Sequence, residues 1–332
     1  MEAIISYSTS ELYAKYLCVS VTSLLKHSSS ENTYRIIVLD DAICDKTKEL
    51  IRNTGAGYDN VTFEFINAKK IVPQNLYTKR ISVSTYYDLA LMDLFPDIDK
   101  ILCLDCDTIV MADVAELFKL DLTGYYFAAV RDLEMIYNFG NKNSQYKVYA
   151  KDVLKLNNTA DYVNAGVVLF NFPEFRKDYN SKKLIDIAMS HSYKFFDQDV
   201  LNSVAEGKIY FLHPGWNFFG SDLFLTEKGK EEYKKASENI AILHFAGKKP
   251  WEYVPRGYAS YFWKYALESV SSEYVWNDFA KYIDYRINDI GLNERRVLEG
   301  VYEGKIDFKF YLRLVKAVVI GTFRKIKGKF ER

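Results

Sequence analysis

Short apolar runs alternate with segments of helical periodicity up to about residue 245, and this alternation restricts the fold more than any other feature of the chain. Runs rich in branched and aromatic side chains indicate buried strands, whereas apolar residues spaced three and four apart indicate amphipathic helices. The runs cover residues 3–7, 35–39, 61–66, 101–104, 127–130, 166–170, 209–212 and 240–245. The helical segments include residues 14–26, 46–52, 85–94 and 181–191. We therefore predict an α/β fold with a Rossmann-like, mostly parallel central sheet flanked by helices.

The composition changes after residue 251, which indicates a separate C-terminal region. Residues 257–286 read as aromatic-rich helices, and no acidic residue lies between Asp307 and Glu331. In a helix, most cations of this last segment fall along one stripe: Lys309, Arg313, Lys316, Arg324 and Lys327. This pattern is typical of a helix that lies on an anionic membrane surface, although a helix docked on its own domain or on a partner protein is the alternative. We predict a first domain of residues 1–255 and a helical region of residues 256–332 that ends in this basic amphipathic segment.

Two carboxylates, Asp105 and Asp107, follow the apolar run at residues 101–104. Alternate side chains of a strand share a face, so both can point the same way at the C-terminal edge of the sheet, where open α/β sheets bind ligands. Such a pair can hold one Mg²⁺ or Mn²⁺ ion that keeps positions free for phosphates, which indicates a metal-bridged nucleotide diphosphate. The alternatives are acidic caps of a turn and a phosphatase of the haloacid dehalogenase type.

The cysteine spacing indicates the cellular compartment of the protein, and the charge balance limits the partners that it can bind. Cys18, Cys44, Cys103 and Cys106 show no disulfide-framework spacing, as expected in a reducing compartment. Strand alternation sends Cys103 and Cys106 to opposite faces, so we expect them to line the core. With 44 basic and 44 acidic residues there is no global attraction to nucleic acid, and no secretory signal is visible. We predict a cytoplasmic protein.

Four further segments carry a family resemblance: residues 164–171 (NAGVVLFN), 196–202 (FDQDVLN), 216–218 (WNF) and 244–251 (HFAGKKPW). Together with Asp105-Cys106-Asp107, their order and chemistry resemble glycosyltransferase family 8. This family contains bacterial lipopolysaccharide glucosyl- and galactosyltransferases and glycogenin. The resemblance runs from about residue 4 to residue 251. It implies a GT-A fold and transfer of glucose or galactose from a UDP-sugar with retention at the anomeric carbon.

The resemblance implies that Asp105, Asp107 and His244 bind Mn²⁺ (or Mg²⁺). Two carboxylates and one imidazole suit a borderline divalent cation. Lys249 matches the family's phosphate-contacting lysine. The loop from Gly247 is one residue shorter than in the relatives, so Lys248 is the alternative.

The resemblance also implies a sugar pocket. Asp197 and Gln198 match the pair that holds the donor sugar, and Asp132 and Asn164 match polar residues around it. The expected catalytic residues are Gln198, Asp197 and Asp132. Glutamine is a poor nucleophile, which favours front-side attack by the acceptor, whereas a double displacement would need Asp199, Asp197 or Asp132. Asn217 is expected on the acceptor side.

Two positions depart from the family pattern. Asp88 stands where the family normally has an arginine, and only Arg80 or another cation could compensate the reversed charge. Residues 7–13 replace a segment that usually carries an aspartate to uracil, and Ser10, or Glu11 in a shifted register, is the candidate there. The predicted donor-binding residues are Ser8, Ser10, Tyr13, Asp105, Cys106, Asp107, Asn164, Gly247 and Lys249.

These features predict a retaining hexosyltransferase at the inner face of the cell membrane. It would act on a glycan, lipid-linked or protein-linked acceptor in the synthesis of surface polysaccharide, lipopolysaccharide or glycoprotein glycan. The alternative is a catalytically silent nucleotide-sugar-binding or scaffold subunit of a glycosyltransferase complex, which Asp88 and Ser10 favour.

Overall fold

The computed structural model describes residues 1–73, 83–141, 144–219, 227–252 and 258–289. The chain divides into two compact units, Met1–Ala246 and a second that begins at Gly247. The strands are β1 (Glu2–Thr9), β2 (Thr33–Asp40), β3 (Val61–Asn67), β4 (Lys100–Leu104), β5 (Thr108–Val110), β6 (Phe127–Arg131), β7 (Val163–Asn171), β8 (Ile209–Phe211) and β9 (Ile242–His244). The α-helices are α1 (Ala14–Lys26), α2 (Asp45–Asn53), α3 (Leu91–Leu94), α4 (Ala115–Phe118), α5 (Leu133–Gly140), α6 (Gln145–Asp152), α7 (Phe172–Phe175), α8 (Ser181–Ser190), α9 (Phe196–Val204), α10 (Glu227–Glu238), α11 (Ala259–Ala266) and α12 (Ser272–Asp289). Short 3₁₀ helices cover Ala68–Lys70, Val83–Ala90, Thr159–Asp161 and Pro214–Asn217.

Seven of these strands form the central sheet, in the order β3-β2-β1-β4-β7-β6-β8. Strands β3, β2, β1 and β4 are parallel to one another, and β8 is parallel to β6. Only β7 among them runs antiparallel, to both β4 and β6. The predicted mostly parallel α/β sheet is confirmed, with β7 as its exception.

Both faces of the sheet are covered, and each has its own apolar cluster. On β4, Ile101 and Cys103 belong to one cluster, and Leu102 and Leu104 to the other. Cys106 joins the second cluster, so the two closely spaced thiols line opposite sides of the core as predicted. Strands buried on both faces read as continuous apolar runs, which is why the sequence pattern located them.

The predicted helix at residues 85–94 differs from the structure. The chain there forms the 3₁₀ helix Val83–Ala90 and then one turn of α-helix, α3. Thr85, Tyr86 and Tyr87 have low intrinsic α-helix propensity, which is consistent with the tighter 3₁₀ turn.

A second, two-stranded sheet pairs β5 with β9 and aligns two predicted ligands. Thr108 lies opposite His244 in this antiparallel pair, and the backbone N–H of Phe245 donates to the carbonyl of Asp107 over 3.0 Å. The backbone N–H of His244 donates to the carbonyl of Phe218 over 2.9 Å. These bonds fix His244 beside the loop that carries both aspartates.

The second unit contains α11 and α12 among its described residues. Trp263 of α11 packs against Phe279 and Trp276 of α12, with ring centroids 4.8 and 6.1 Å apart. The described part of this region, up to residue 289, is helical, as the sequence predicted. The predicted domain division at residue 255 stays a prediction. The described residues contain no helix long and apolar enough to cross a membrane, and the basic segment at residues 307–331 lies outside them.

Candidate active site

Asp105, Asp107 and His244 converge at the end of β4. Asp105 directly follows β4, Asp107 directly precedes β5, and His244 ends β9. One ligand atom from each residue lies within 4.8 Å of the other two. The His244 Nε2 atom is 3.3 Å from Asp105 Oδ2 and 3.4 Å from Asp107 Oδ1. The structure thus brings together all three predicted metal ligands, with a donor set of two carboxylates and one imidazole that fits Mn²⁺ or Mg²⁺.

The electrostatics of this cluster favour a positive charge. Burial by itself lowers the pKa of His244, but Asp107 and Asp105 more than offset this effect and raise the pKa to about 9. His244 and Asp107 are buried, whereas the Asp105 side chain is 56% exposed. The site therefore attracts a cation and is open on the Asp105 side.

Gly166 on β7 makes the approach of His244 possible. A Cβ atom at this position would lie 2.2 Å from His244 Cε1 and 2.9 Å from Asp105 Oδ2. Both contacts are much shorter than van der Waals distances, so any side chain here would displace the imidazole. Gly166 lies within the quoted family segment, but nothing in its spacing marked it as a site residue.

A chain of side-chain amides leads from His244 into the sheet. His244 Nδ1 is 3.0 Å from Asn217 Oδ1, and Asn217 Nδ2 donates to Asn164 Oδ1 over 2.9 Å. Asn164 Oδ1 also accepts from the backbone N–H of Gly166 over 2.9 Å. Asn217, which was predicted to lie on the acceptor side, is buried and contacts His244.

The carboxamide of Gln198 is fully hydrogen bonded. Its Oε1 atom accepts from Asn164 Nδ2 and from the backbone N–H of Ala165, each over 3.1 Å. Its Nε2 atom donates to Tyr162 OH over 3.1 Å and to Asp132 Oδ2 over 3.3 Å. Both lone pairs and both hydrogens of the amide are thereby used. Asp132, Asn164 and Gln198 therefore form one connected group, and their predicted roles around a donor sugar stay predictions.

Asp132, one of the predicted catalytic residues, is a buried carboxyl group. It caps the N-terminus of α5, where its Oδ1 atom accepts from the backbone N–H of Met135 over 2.9 Å. Burial raises its pKa to about 6, although the Met135 N–H and the side chains of Asn164 and Gln198 act in the opposite direction.

Asp88 and Asp197 place further acidic groups near Asp105. The half-buried Asp88 accepts a hydrogen bond from Ser8 Oγ over 2.7 Å. Desolvation and the charge of Asp105 raise its pKa to about 7. Desolvation, Asp105 and Asp88 likewise raise the pKa of Asp197 well above its usual range. Arg80, proposed to compensate Asp88, lies outside the described residues.

The turn into α9 has an unusual backbone. Phe196 directly precedes Asp197 and has a positive φ of 52°, in the left-handed region that non-glycine residues rarely adopt. Strain of this kind concentrates at functional sites, where surrounding packing holds it. Here the Phe196 ring packs edge-on against Tyr86 with centroids 6.1 Å apart.

Asp199 lies in the protein interior, and its carboxylate is held by hydrogen bonds from the surrounding chain. Its carboxylate is fully buried and accepts from Tyr149 OH, from Tyr162 OH over 2.6 Å and from the backbone N–H of Phe195 over 2.7 Å. Tyr162 therefore connects Asp199 to Gln198. The sequence reasoning missed this tyrosine, whose only signal is its place two residues before Asn164.

The residues predicted for the nucleotide end lie at the end of β1 and the loop after it. The thiol of Cys106 donates to the carbonyl of Ser8 over 3.3 Å. The carbonyl of Ser10 accepts from the N–H groups of Tyr13 and Ala14, each over 3.0 Å. Glu11 accepts from the N–H of Cys44 at the start of α2 over 3.0 Å, so its carboxylate already serves a helix end.

The predicted phosphate-contacting loop belongs to the second unit. Gly247 has a positive φ of 89°, and the carbonyl of Lys249 accepts from the N–H of Glu252 over 3.1 Å. The assignments of Gly247 and of Lys249 or Lys248 to the donor stay predictions.

The chain is similar to known proteins in sequence and in fold. The profile described as Glycosyl transferase family 8 matches residues 4–254. General stress protein A of Bacillus subtilis (strain 168) is 29% identical over 72% of this chain and 84% of its own length. Lipopolysaccharide 1,2-glucosyltransferase of Escherichia coli (strain K12) is 26% identical over 74% of this chain and 72% of its own length. The crystal structure of galactosyltransferase LgtC with donor and acceptor sugar analogues has a TM-score of 0.64 at 24% identity, over 81% of this chain and 96% of that chain. The predicted GT-A fold is confirmed.

Proposed function

Since the chain belongs to glycosyl transferase family 8 and is a glycosyltransferase, we propose that it transfers a hexose, glucose or galactose, from a UDP-sugar to a glycan acceptor with retention. The observation that carries this proposal is the convergence of Asp105, Asp107 and His244 beside the hydrogen-bonded group of Asp132, Asn164 and Gln198. The first set suits a cation that binds diphosphate, and the second offers polar groups to a sugar.

We propose Mn²⁺, or Mg²⁺, as the ion held by Asp105, Asp107 and His244. The exposed side of Asp105 leaves room for phosphate oxygens. A bound ion of this type would offset the charge that develops on the diphosphate leaving group. Lys249, or Lys248, is the proposed cation on the phosphate itself.

We propose front-side attack by the acceptor. The Gln198 amide has no unused hydrogen-bonding position, and an amide is a poor nucleophile. Asp199 is buried and accepts three hydrogen bonds, so it is a poor nucleophile for a double displacement. Asp197 and Asp132 remain as carboxyl groups that can hold sugar hydroxyls, and we assign them this role.

Several finer assignments complete the proposal. Ser8, Ser10, Tyr13 and Cys106 would bind the nucleoside end, and Asn164 and Gly247 the rest of the donor. Similarity to the E. coli lipopolysaccharide 1,2-glucosyltransferase supports a role in surface polysaccharide, lipopolysaccharide or glycoprotein glycan synthesis. We also propose a peripheral position at the cytoplasmic face of the cell membrane, through the basic segment at residues 307–331.

The test is UDP release from a panel of UDP-sugars, with Mn²⁺ present or removed by chelation. We expect release with UDP-glucose or UDP-galactose that requires the metal and is lost in Asp107→Asn. Asp113→Asn is the matched control, because Asp113 bonds Tyr34 and Asn32 instead. No metal-dependent binding or turnover of any UDP-sugar would contradict the proposal.

Asp88 favours a second candidate function, a silent nucleotide-sugar-binding subunit. Its carboxyl group adds to the acidic surroundings of Asp105 and Asp197 and opposes a bound diphosphate. Under this alternative, the wild type binds UDP with Mn²⁺ but transfers nothing, and Asp88→Arg gains activity. Turnover by the wild type would eliminate it.

A further inference from the structure

The Nδ1 atom of His244 has a hydrogen-bond partner in Asn217. Asn217 ends the 3₁₀ helix Pro214–Asn217, and the next residue, Phe218, pairs through its backbone with Ile242 and His244. Asn217 Oδ1 then lies 3.0 Å from His244 Nδ1, on the side of the ring opposite the aspartates. Asn217 is 1% exposed. This burial leaves its side chain little access to a substrate.

The orientation of the Asn217 amide follows from the backbone. The Gly166 N–H can only donate, so the Asn164 atom that it contacts over 2.9 Å is the oxygen. That oxygen also faces Asn217, which must therefore turn its NH₂ group toward Asn164. Its own oxygen is left facing His244.

This orientation determines which imidazole nitrogen can bind a cation. An amide oxygen beside Nδ1 requires a proton on Nδ1, so the lone pair of a neutral ring lies on Nε2. Nε2 is the atom that faces Asp105 and Asp107. A reversed Asn217 amide would favour the other tautomer, in which Nε2 carries the proton and cannot bind a metal.

We propose that Asn217 is a positioning residue that keeps His244 in the metal-binding tautomer and links it, through Asn164, to the carboxamide of Gln198. The link to Gln198 is the 3.1 Å bond from Asn164 Nδ2. The inference deepens the proposed function and rests on its metal site. Under this proposal Asn217 acts through His244 and not by contact with the donor or the acceptor.

The test compares two substitutions in the full chain. Mn²⁺ affinity is measured for each by calorimetric titration. Asn217→Leu removes the acceptor, and we expect Mn²⁺ affinity to fall about 10- to 100-fold, the usual cost of losing the outer hydrogen bond of a metal-bound histidine. Asn217→Asp keeps an oxygen beside Nδ1 but has no N–H for Asn164, so we expect it to recover only the part of that loss that comes from Nδ1. Asn171→Leu is the matched control, because Asn171 is also buried but bonds the carbonyls of Leu122 and Tyr125 at the other end of β7.

A spectroscopic measurement covers the case in which Asn217→Leu does not fold. In Mg²⁺-loaded wild type with ¹⁵N-labelled histidine, we expect His244 to show a protonated Nδ1 and an unprotonated Nε2. Mn²⁺ affinity unchanged in folded Asn217→Leu overturns the proposal while leaving the metal site intact. A protonated Nε2 overturns both the proposal and the place of His244 among the metal ligands. A raised acceptor KM with unchanged Mn²⁺ affinity overturns it in favour of acceptor binding. Wild type that binds no Mn²⁺ overturns both this inference and the proposed metal.

Discussion

Binding of Mn²⁺ at the proposed site is expected to expel a proton from His244. In the metal-free protein, Asp107 and Asp105 raise the pKa of this buried imidazole to about 9, so the ring carries a proton on both nitrogens at pH 7. A metal ion needs the Nε2 lone pair and therefore competes with that proton. Mn²⁺ affinity should rise with pH until the pKa of the metal-free state is reached.

The size of the effect follows from the pKa. A group with a pKa of about 9 is about 99% protonated at pH 7, so about one proton leaves per ion bound, and affinity rises about ninefold from pH 7 to pH 8. A histidine with an ordinary pKa of about 6.5 would release about 0.2 proton, and affinity would rise only about 1.3-fold.

Calorimetric titration of Mn²⁺ in two buffers of different ionisation enthalpy counts the protons released. Asp88 and Asp197 also have raised pKa values and can add to the count. A His244→Gln variant measures that background, because glutamine keeps an oxygen ligand but has no proton to lose. Equal proton release in both proteins, or an affinity that changes less than about twofold between pH 7 and pH 8, would refute the reasoning.

Three further predictions concern the surroundings of the site. Gly166→Ala should weaken Mn²⁺ binding about 10-fold or more by displacing His244, whereas Gly140→Ala, with open space around its Cβ position, should leave it unchanged in the same titration. Asp88→Asn keeps an acceptor for Ser8 but removes a charge, so UDP·Mn²⁺ affinity measured by calorimetry should rise at pH 8 and differ little at pH 6, below the pKa of about 7; a larger gain at pH 6 would contradict this. Tyr162→Phe should slow transfer and cost about 1–3 kcal/mol in urea unfolding, whereas Tyr149→Phe, which loses a bond to the same Asp199, should reduce stability alone; equal loss of transfer in both would contradict a role through Gln198.

The strands and the pair Asp105 and Asp107 could be predicted because their signals are local, whereas His244 was predicted only through the family resemblance. Buried strands such as β4 are apolar without interruption, and Asp105 and Asp107 stand out where that pattern ends. The antiparallel direction of β7 could not be predicted, since a strand buried on both faces has the same apolar pattern in either direction.

The residues that surround and support the candidate site could not be predicted from local sequence signals. Tyr162, Gly166 and the role of Asn217 depend on contacts across the sheet, and each residue type is common in structural positions. Family resemblance marked Asn217 but gave it an acceptor contact, which stays a prediction. The proposed role of Asn217 in positioning His244 rests on its hydrogen bonds to Asn164 and His244, which only the structure shows.

The pairing of β5 with β9 has a consequence for biosynthesis. His244 is translated long after the two aspartates, and its strand docks beside them only once residue 244 has been added. A ribosome-bound chain that has not reached this point has just two of the three proposed ligands. Proteolytic removal of β9 would likewise remove the proposed imidazole ligand, although β9 is not one of the seven strands of the central sheet.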